Sequence, residues 1–576
     1  MLREQPYSDR IIVAKLTDLC NFGSFGQPGR PGDSNSPVMV AASLQKQQDM
    51  QIVPVAQKKA RQLAGLLLLC FLSGNVWAKD LDIRDFGAIS DGATLCSSAI
   101  QKAIDACSAA GGGTVLVPGG TFLTGTILLK DNVELHLAKD AILLASVNHP
   151  QDYQAGRGVI VADGISNAAV TGFGTINGQG GDKRFQYGDN KGNRPHVVFY
   201  KDSKNMVLRD VHLINSAWWT VFLFRCDGVK VEGIDIHSQD NLNNDGLDVD
   251  SRNVTISNCT IDCDDDGLCF KSDDDHFLVE NITVTNCMIG SNCNAIKFGT
   301  ASRCGFKNIT ISNCVIHPAS ESKLRKWSTR WKNVPSDTTA LAGIAIESVD
   351  GSHIERINIS NISMTGIMTP IFLRLGNRGG QPGELKDIII SSVTAKSRSM
   401  ITSSITGIPG SRVQGVILRD LIFENLGKGT LEEAFAPVPE KEKAYPENGM
   451  FGATLPAHGL YIRHADNITM ENVQFRTANP DMRPTIVMDD ATNVSLQNFQ
   501  AEAPASDQAL IKLIDCKEMS IGGFRQARTA PLKLLRVEGA ASEQIRLTHN
   551  YPAKTKGIVD IDGKVGKNAV WIKSNF

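Results

Sequence analysis

Thirteen cysteines are spread over the 576 residues without a single Cys-x-x-Cys pair, so the ligand spacing of a structural zinc site is missing. Charge of one sign is missing too. Lysine and arginine total 59 against 61 acidic residues, a formal net charge of -2, which removes any general electrostatic reason to bind nucleic acid or an anionic membrane. The apolar run Leu63–Leu72 falls short of the ~20 residues a membrane span needs. Helix-length patterns are scarce. One plausible helix is Ser97–Ala109, with Ala99, Ile100, Ala103, Ile104 and Cys107 at helical spacing and Gly111-Gly112-Gly113 to end it. Apolar material is plentiful at 42%, and 52 glycines point to a large core with many turns.

The N-terminal segment reads as processing. Lys58, Lys59 and Arg61 precede the apolar run, and Val76-Trp77-Ala78 follows it: a charged region, an apolar region and a small-residue cleavage pattern. Residues 50–78 are therefore expected to be a signal peptide starting at Met50. Residues 1–49, polar and rich in Gly and Pro, are expected to be a non-native or disordered extension. Residues 79–576 would form a single domain, secreted or periplasmic and free of the membrane after cleavage. Without Cys20 and Cys70, 11 cysteines remain. An odd number cannot be fully paired, and their recurrence at one place in successive repeats favours buried thiols over a disulfide framework.

That repeat decides the fold. Arg252–Ile261, Glu280–Ile289 and Lys307–Ile316 share one pattern of Asn, alternating apolar and polar residues, then Asn-Cys, and start 28 and 27 residues apart. Weaker copies occur on both sides. Alternation is the strand period, and Asn, Asp or Gly at each bend suits a left-handed turn residue. Units this long without a helix imply an all-β parallel β-helix, a solenoid of about ten coils. Cys259, Cys287 and Cys314 would stack as an interior ladder beside Asn258, Asn286 and Asn313, and the helix Ser97–Ala109 would cap the N-terminal end and its open strand edges. Two segments break the period, Glu321–Thr338 and Gly427–His458. Both read as long loops, which on a rigid scaffold often carry function.

Two acidic clusters lie one repeat apart. Asn243-Asn244-Asp245-Gly246-Leu247-Asp248 leads to Asp264-Asp265-Asp266-Gly267-Leu268-Cys269-Phe270-Lys271, with 20 residues from Asp245 to Asp265. Aspartates in turns commonly cap backbone or bind calcium. The density here argues for more, because like charges packed together cost stability. A carboxyl held protonated by its neighbours can act as general acid at neutral pH.

With these motifs the chain resembles glycoside hydrolase family 28, the polygalacturonase family, over roughly residues 80–500. The family's Asn-Thr-Asp stands here as Asn243-Asn244-Asp245, and its Gly-Asp-Asp as Asp264-Asp265-Asp266 with Lys271-Ser272 following. The resemblance implies a right-handed β-helix and inverting hydrolysis of pectic polysaccharide. Asp265 would be the proton donor, Asp245 and Asp266 would activate water, and donor and base would stand far enough apart to admit that water. The implied partner is a polysaccharide or oligosaccharide, met by a monomer with no cofactor and no metal ion.

The chain departs from the family at two places. The family's Gly-His-Gly is replaced by Cys293-Asn294-Ala295, and its Arg-Ile-Lys by Ala345-Ile346-Glu347. A glutamate there would repel a galacturonate carboxylate, which moves the likeness toward rhamnogalacturonase-type or other bacterial branches. Asn243, Asn294, Lys297, Lys271 and Arg374 are the residues expected to hold substrate, Arg463 resembling Arg374 as a cation in an apolar strand. Trp218-Trp219 would fill core or stack on a sugar face, and the loop Tyr445–Gly459 would wall a cleft or simply pack on the surface. Two other readings stay open. A calcium-dependent lyase would need a cation-rich site with an arginine base, and no arginine lies within the two acidic turns except Arg252. A non-catalytic carbohydrate-binding β-helix is the other.

Overall fold

The computed structural model describes residues 80–153, 157–185, 194–330, 339–452, 454–526, 533–550 and 558–573. The expected extension and signal peptide, 1–78, lie outside them, as does 331–338 of the first insertion. Among the described residues no helix is long and apolar enough to cross a membrane.

The chain winds as a parallel β-helix. Among the described residues thirty-seven strands form one continuous hydrogen-bonded array. Six strands lie at and around the acidic turns: β1 (Val221–Glu232), β2 (Leu247–Ser257), β3 (Leu268–Ser272), β4 (Asn294–Ser302), β5 (Ala340–Ser348) and β6 (His353–Leu375). Each pairs in parallel with the next, so like positions stack turn on turn. One column, Leu223, Val249, Phe270, Phe298, Ile346 and Leu373, points inward and is fully buried. The column beside it, Phe222, Asp248, Cys269, Lys297, Ala345 and Phe372, occupies the opposite face of the same strands. Alternation in the sequence thus becomes an apolar bore and a chemically varied outer face.

The bends are made as the repeat implies. Asn253, Asn281 and Asn308 have φ of 56, 59 and 54°, and their amides form a hydrogen-bonded ladder at 3.1 Å per step. Asn258, Asn286 and Asn313 form a second left-handed column, beside Cys259, Cys287 and Cys314, which are buried in the core. All 11 described cysteines are free thiols. Helix α1 runs Ser97–Ala109 and buries Ile100, Ala103, Ile104 and Cys107. It ends where Gly111 turns left-handed (φ 98°) and Gly112 N–H donates to Cys107 O.

The insertion at 427–458 folds back over the outer face of the coils. Phe451, Leu455 and Ala457 pack on Ala342, Ala345, Phe372 and Tyr461. Asn448 is buried, its amide donating to Leu341 O (2.7 Å) and Thr369 Oγ1 (2.9 Å).

Candidate active site

The site begins with two glycines. Gly246 N–H donates to Asp266 O (2.9 Å) and Gly267 N–H to Asn294 O (2.8 Å), so Asp245, Asp266 and Asn294 follow one another on successive coils. A Cβ at Gly246 would lie 2.4 Å from Ile261 Cγ2 and 2.6 Å from Gly267 O; at Gly267 it would lie 2.5 Å from Ile289 Cγ2. Any side chain would force the coils apart. The Asp-Gly pairs are the local device that brings the two acidic turns into register.

The carboxylates do converge. Asp245 and Asp266 offer oxygens within 4.8 Å of each other, as do Asp265 and Asp266. Exposures are 3% for Asp245, 8% for Asp265 and 4% for Asp266.

Each acid is held differently. Asp266 Oδ1 accepts from Asn294 N (3.0 Å) and Asn294 Nδ2 (2.8 Å), and Oδ2 from Lys297 Nζ (2.9 Å). Burial pushes its carboxyl up, but Lys297, Lys271 and Asn294 outweigh burial and hold it below the ordinary range. Asp245 goes the other way. Burial, reinforced by Asp248, pushes it well above the ordinary range against the pull of Lys271. Lys271 Nζ lies 3.3 Å from Asp245 Oδ2 and 3.1 Å from Asp248 Oδ1, and burial raises Asp248 to about 7. Both lysines stay charged, because the surrounding acids more than offset their burial.

Aromatic rings flank the acids. Lys271 Nζ lies 4.5 Å from the Trp219 ring centroid, and Lys297 Nζ 5.9 Å from that of Tyr445. Trp218 and Trp219 are only half-buried and stand outside the core, so the core-filling reading of this pair is corrected. Tyr445 comes from the second insertion, and its hydroxyl meets Thr300 Oγ1 at 3.0 Å. The loop therefore does line the acidic cluster, as one reading of the sequence has it.

Of the expected substrate-holding residues, Lys271, Lys297 and Asn294 join the cluster, each bound to a carboxylate. Asn243 lies to one side, left-handed (φ 57°), accepting from Arg194 Nη2 at 3.4 Å. Arg374 is a correction. It is 1% exposed and gives its guanidinium to Gly407 O (2.9 Å), Glu440 O (2.9 Å) and Lys441 O (3.2 Å). A cation in an apolar strand has been kept to satisfy buried carbonyls of a folded-back loop. Arg463 serves the same loop, donating to Val438 O and facing Glu440 and Asp489.

The sequence reading missed Arg325. It donates through Nε to Asp264 O (3.0 Å) and faces Asp264 Oδ2 at 3.3 Å, while Nη2 pairs with Asp265 Oδ2. Arg252, the one arginine within the two turns themselves, is occupied by Asp227 at 2.9 Å, and Arg325 reaches them from a separate loop. The lysine and arginine content of the first insertion was the signal available, but where the loop lands is not written in the repeat.

Among the described residues two groups have the donor types for a metal ion, Asp245 with Asp266 and Cys269, and Asp265 with Asp266 and Cys293. They fit poorly. The oxygens are taken by Lys271, Lys297 and Arg325, and burial holds both thiols well above their ordinary range and so in the weakly ligating protonated form.

Comparison with known proteins places the chain in a family. The family model "Glycosyl hydrolases family 28" matches residues 107–438. A probable polygalacturonase of Vitis vinifera is 33% identical over 224 residues, 35% of this chain and 46% of that protein, so the match spans about half that relative. An endo-polygalacturonase of Pectobacterium carotovorum subsp. carotovorum is 25% identical over 352 residues, 54% of this chain and 79% of that protein. The structure of a hyperthermoactive exopolygalacturonase from Thermotoga maritima superposes with a TM-score of 0.53 at 20% identity, covering 69% of this chain and 92% of its own, a likeness of fold. With more than half its length matched and three aspartates gathered on adjacent coils, the chain belongs to family 28 of the glycosyl hydrolases, a family of glycosidases built on the right-handed parallel β-helix.

Proposed function

We propose that the protein hydrolyses α-glycosidic bonds of pectic polysaccharide by an inverting acid/base mechanism. Asp265 gives a proton to the leaving oxygen; Asp266 and Asp245 draw a proton from the attacking water. The observation that carries this reading is the meeting of three nearly buried carboxylates from consecutive coils. Nothing in folding rewards such a meeting of like charges, whereas glycoside hydrolysis requires it. Asp266, kept ionised by Lys297 and oriented by Asn294, suits the base. Trp219 and Tyr445 are suited to stack on sugar faces on either side. Secretion into the periplasm or medium belongs to the same reading and rests on the charged and apolar pattern of residues 50–78.

Asp265→Asn should lower turnover of polygalacturonate by about 10²–10⁴, the usual contribution of a general acid, with an unchanged circular dichroism spectrum. Turnover within a few-fold of wild type would end the assignment. Proton NMR of the first product settles stereochemistry: a β-anomer from an α-linked substrate marks inversion, and an α-anomer excludes it.

The raised carboxyl of Asp245 favours a second reading, with Asp245 as proton donor. A p-nitrophenyl galacturonide separates the two, because its leaving group needs little protonation. The donor's Asn variant keeps most activity on that substrate, and the base's variant does not. Rescue of Asp245→Asn, but not of Asp265→Asn, would exchange their roles.

A further inference from the structure

The cations of the cluster are not equivalent. The Lys271 and Lys297 side chains are 8% and 5% exposed and are fixed on Asp245, Asp248 and Asp266. Arg325 is the more accessible at 17%, and it comes from a loop rather than from a coil. That loop is fastened to the acidic turns at several points. Ser320 N–H donates to Asp262 Oδ1 (2.9 Å), Asn292 Nδ2 to Glu321 O (2.9 Å), and Ser322 Oγ to Asp264 Oδ1 (3.2 Å). Trp327, buried, donates to Asn292 O and lies under the Arg325 guanidinium at 5.2 Å. The two ends of that guanidinium differ. Nε is anchored on Asp264, which is fully buried. Nη2 reaches past it to Oδ2 of Asp265, the residue read above as the proton donor.

We propose that Arg325 determines specificity for an acidic sugar, its Nη2 end passing from Asp265 to the carboxylate of a bound uronate. Planar guanidinium suits such an exchange, since one donor edge can stay on Asp264 while the other changes partner. No covalent bond changes. One ion pair replaces another, and Asp265 Oδ2 is freed to carry a proton from solvent to the glycosidic oxygen. A neutral sugar cannot draw Nη2 away, so it would meet a donor that is still occupied. The exchange rests on the glycosidase reading with Asp265 as donor.

The test uses tetragalacturonate and the α-1,4-linked galactose tetramer, which carries a hydroxymethyl group wherever the former has a carboxylate. Affinities are read by calorimetry in an Asp245→Asn background, so that ligand is not consumed. Arg325→Gln should weaken tetragalacturonate binding about tenfold or more, the scale of one lost charge-assisted hydrogen bond, and leave the galactose tetramer within about twofold. Arg325→Lys should recover part of the loss. Equal weakening of both tetramers, which a purely structural role would give, overturns the proposal; so does no weakening of either. Hydrolysis by otherwise wild-type protein is followed separately. Arg325-dependent uronate binding without any bond cleavage would remove the glycosidase reading and keep the uronate contact.

Discussion

Glu347 is where residue-scale chemistry is least like that of its neighbours. It is 1% exposed, and its Oε2 has no hydrogen-bond partner among the described residues. Burial, only partly offset by Lys297, pushes its carboxyl up to about 8. The folded protein therefore keeps a proton on Glu347 between about 4.5 and about 8, where the unfolded chain has lost it. Stability is lost as pH rises through that window. Glu347→Gln keeps the shape and removes the titration. Its stability relative to wild type should match near pH 4.5 and rise toward pH 9, by at most on the order of 4 kcal/mol. Urea unfolding at both pH values checks this, and a constant difference between the two proteins would refute it. The sequence shows Glu347 as an acid where the family pattern has a cation, but its protonation depends on depth, which residue order does not state. Asp245, Asp265 and Asp266 are legible because their spacing equals a coil. Arg325 is not, because it meets Asp265 across 60 residues from a loop that obeys no period.

At the scale of elements, strands and bends follow from the sequence, and the insertions do not. Alternation and Asn-rich bends place the coils, because each coil solves the same packing problem as the one before it. A loop such as 427–458 solves a different problem once, using Asn448 as an anchor and Arg374 as a clasp. The mistaken expectation for Arg374 has this origin: an isolated cation in an apolar strand has the same sequence signature whether it faces a substrate or a folded-back loop. Arg374→Met keeps the apolar stem and leaves the carbonyls of Gly407, Glu440 and Lys441 without their donor. The expected cost is about 1–3 kcal/mol, felt mainly by the loop. Trypsin should cut near Lys441 or Lys443 faster than in wild type. Because Arg374 is not placed on substrate, KM for polygalacturonate should stay within about twofold at temperatures where the loop is held. A large rise in KM with unchanged proteolysis would return Arg374 to the substrate site.

For the molecule as a whole, the recurring problem of a solenoid is its end. Every coil covers the one beneath it, but the first coil leaves strand edges that invite another chain. Helix α1 meets this in two ways. Its apolar face closes the bore, and Gln101 treats the strand Ile127–Leu128 as a neighbouring strand would. Gln101 Oε1 accepts from Leu128 N–H (2.9 Å) and Gln101 Nε2 donates to Leu128 O (3.0 Å), while the same strand pairs with Ile160 and Val161 of the next coil. One side-chain amide thus supplies the donor and acceptor that a further coil would have brought. Gln101→Ala keeps helix propensity, since alanine is the better helix former, yet opens both backbone groups of Leu128. Global stability should fall by about 1–3 kcal/mol. Light scattering should show concentration-dependent association that the parent protein lacks under the same conditions. Lys102→Ala, on the exposed side of the same helix, should change neither quantity. If Gln101→Ala is as stable and as dispersed as Lys102→Ala, the amide is not what protects that edge, and closure of the bore by Ile100 and Ile104 must suffice alone.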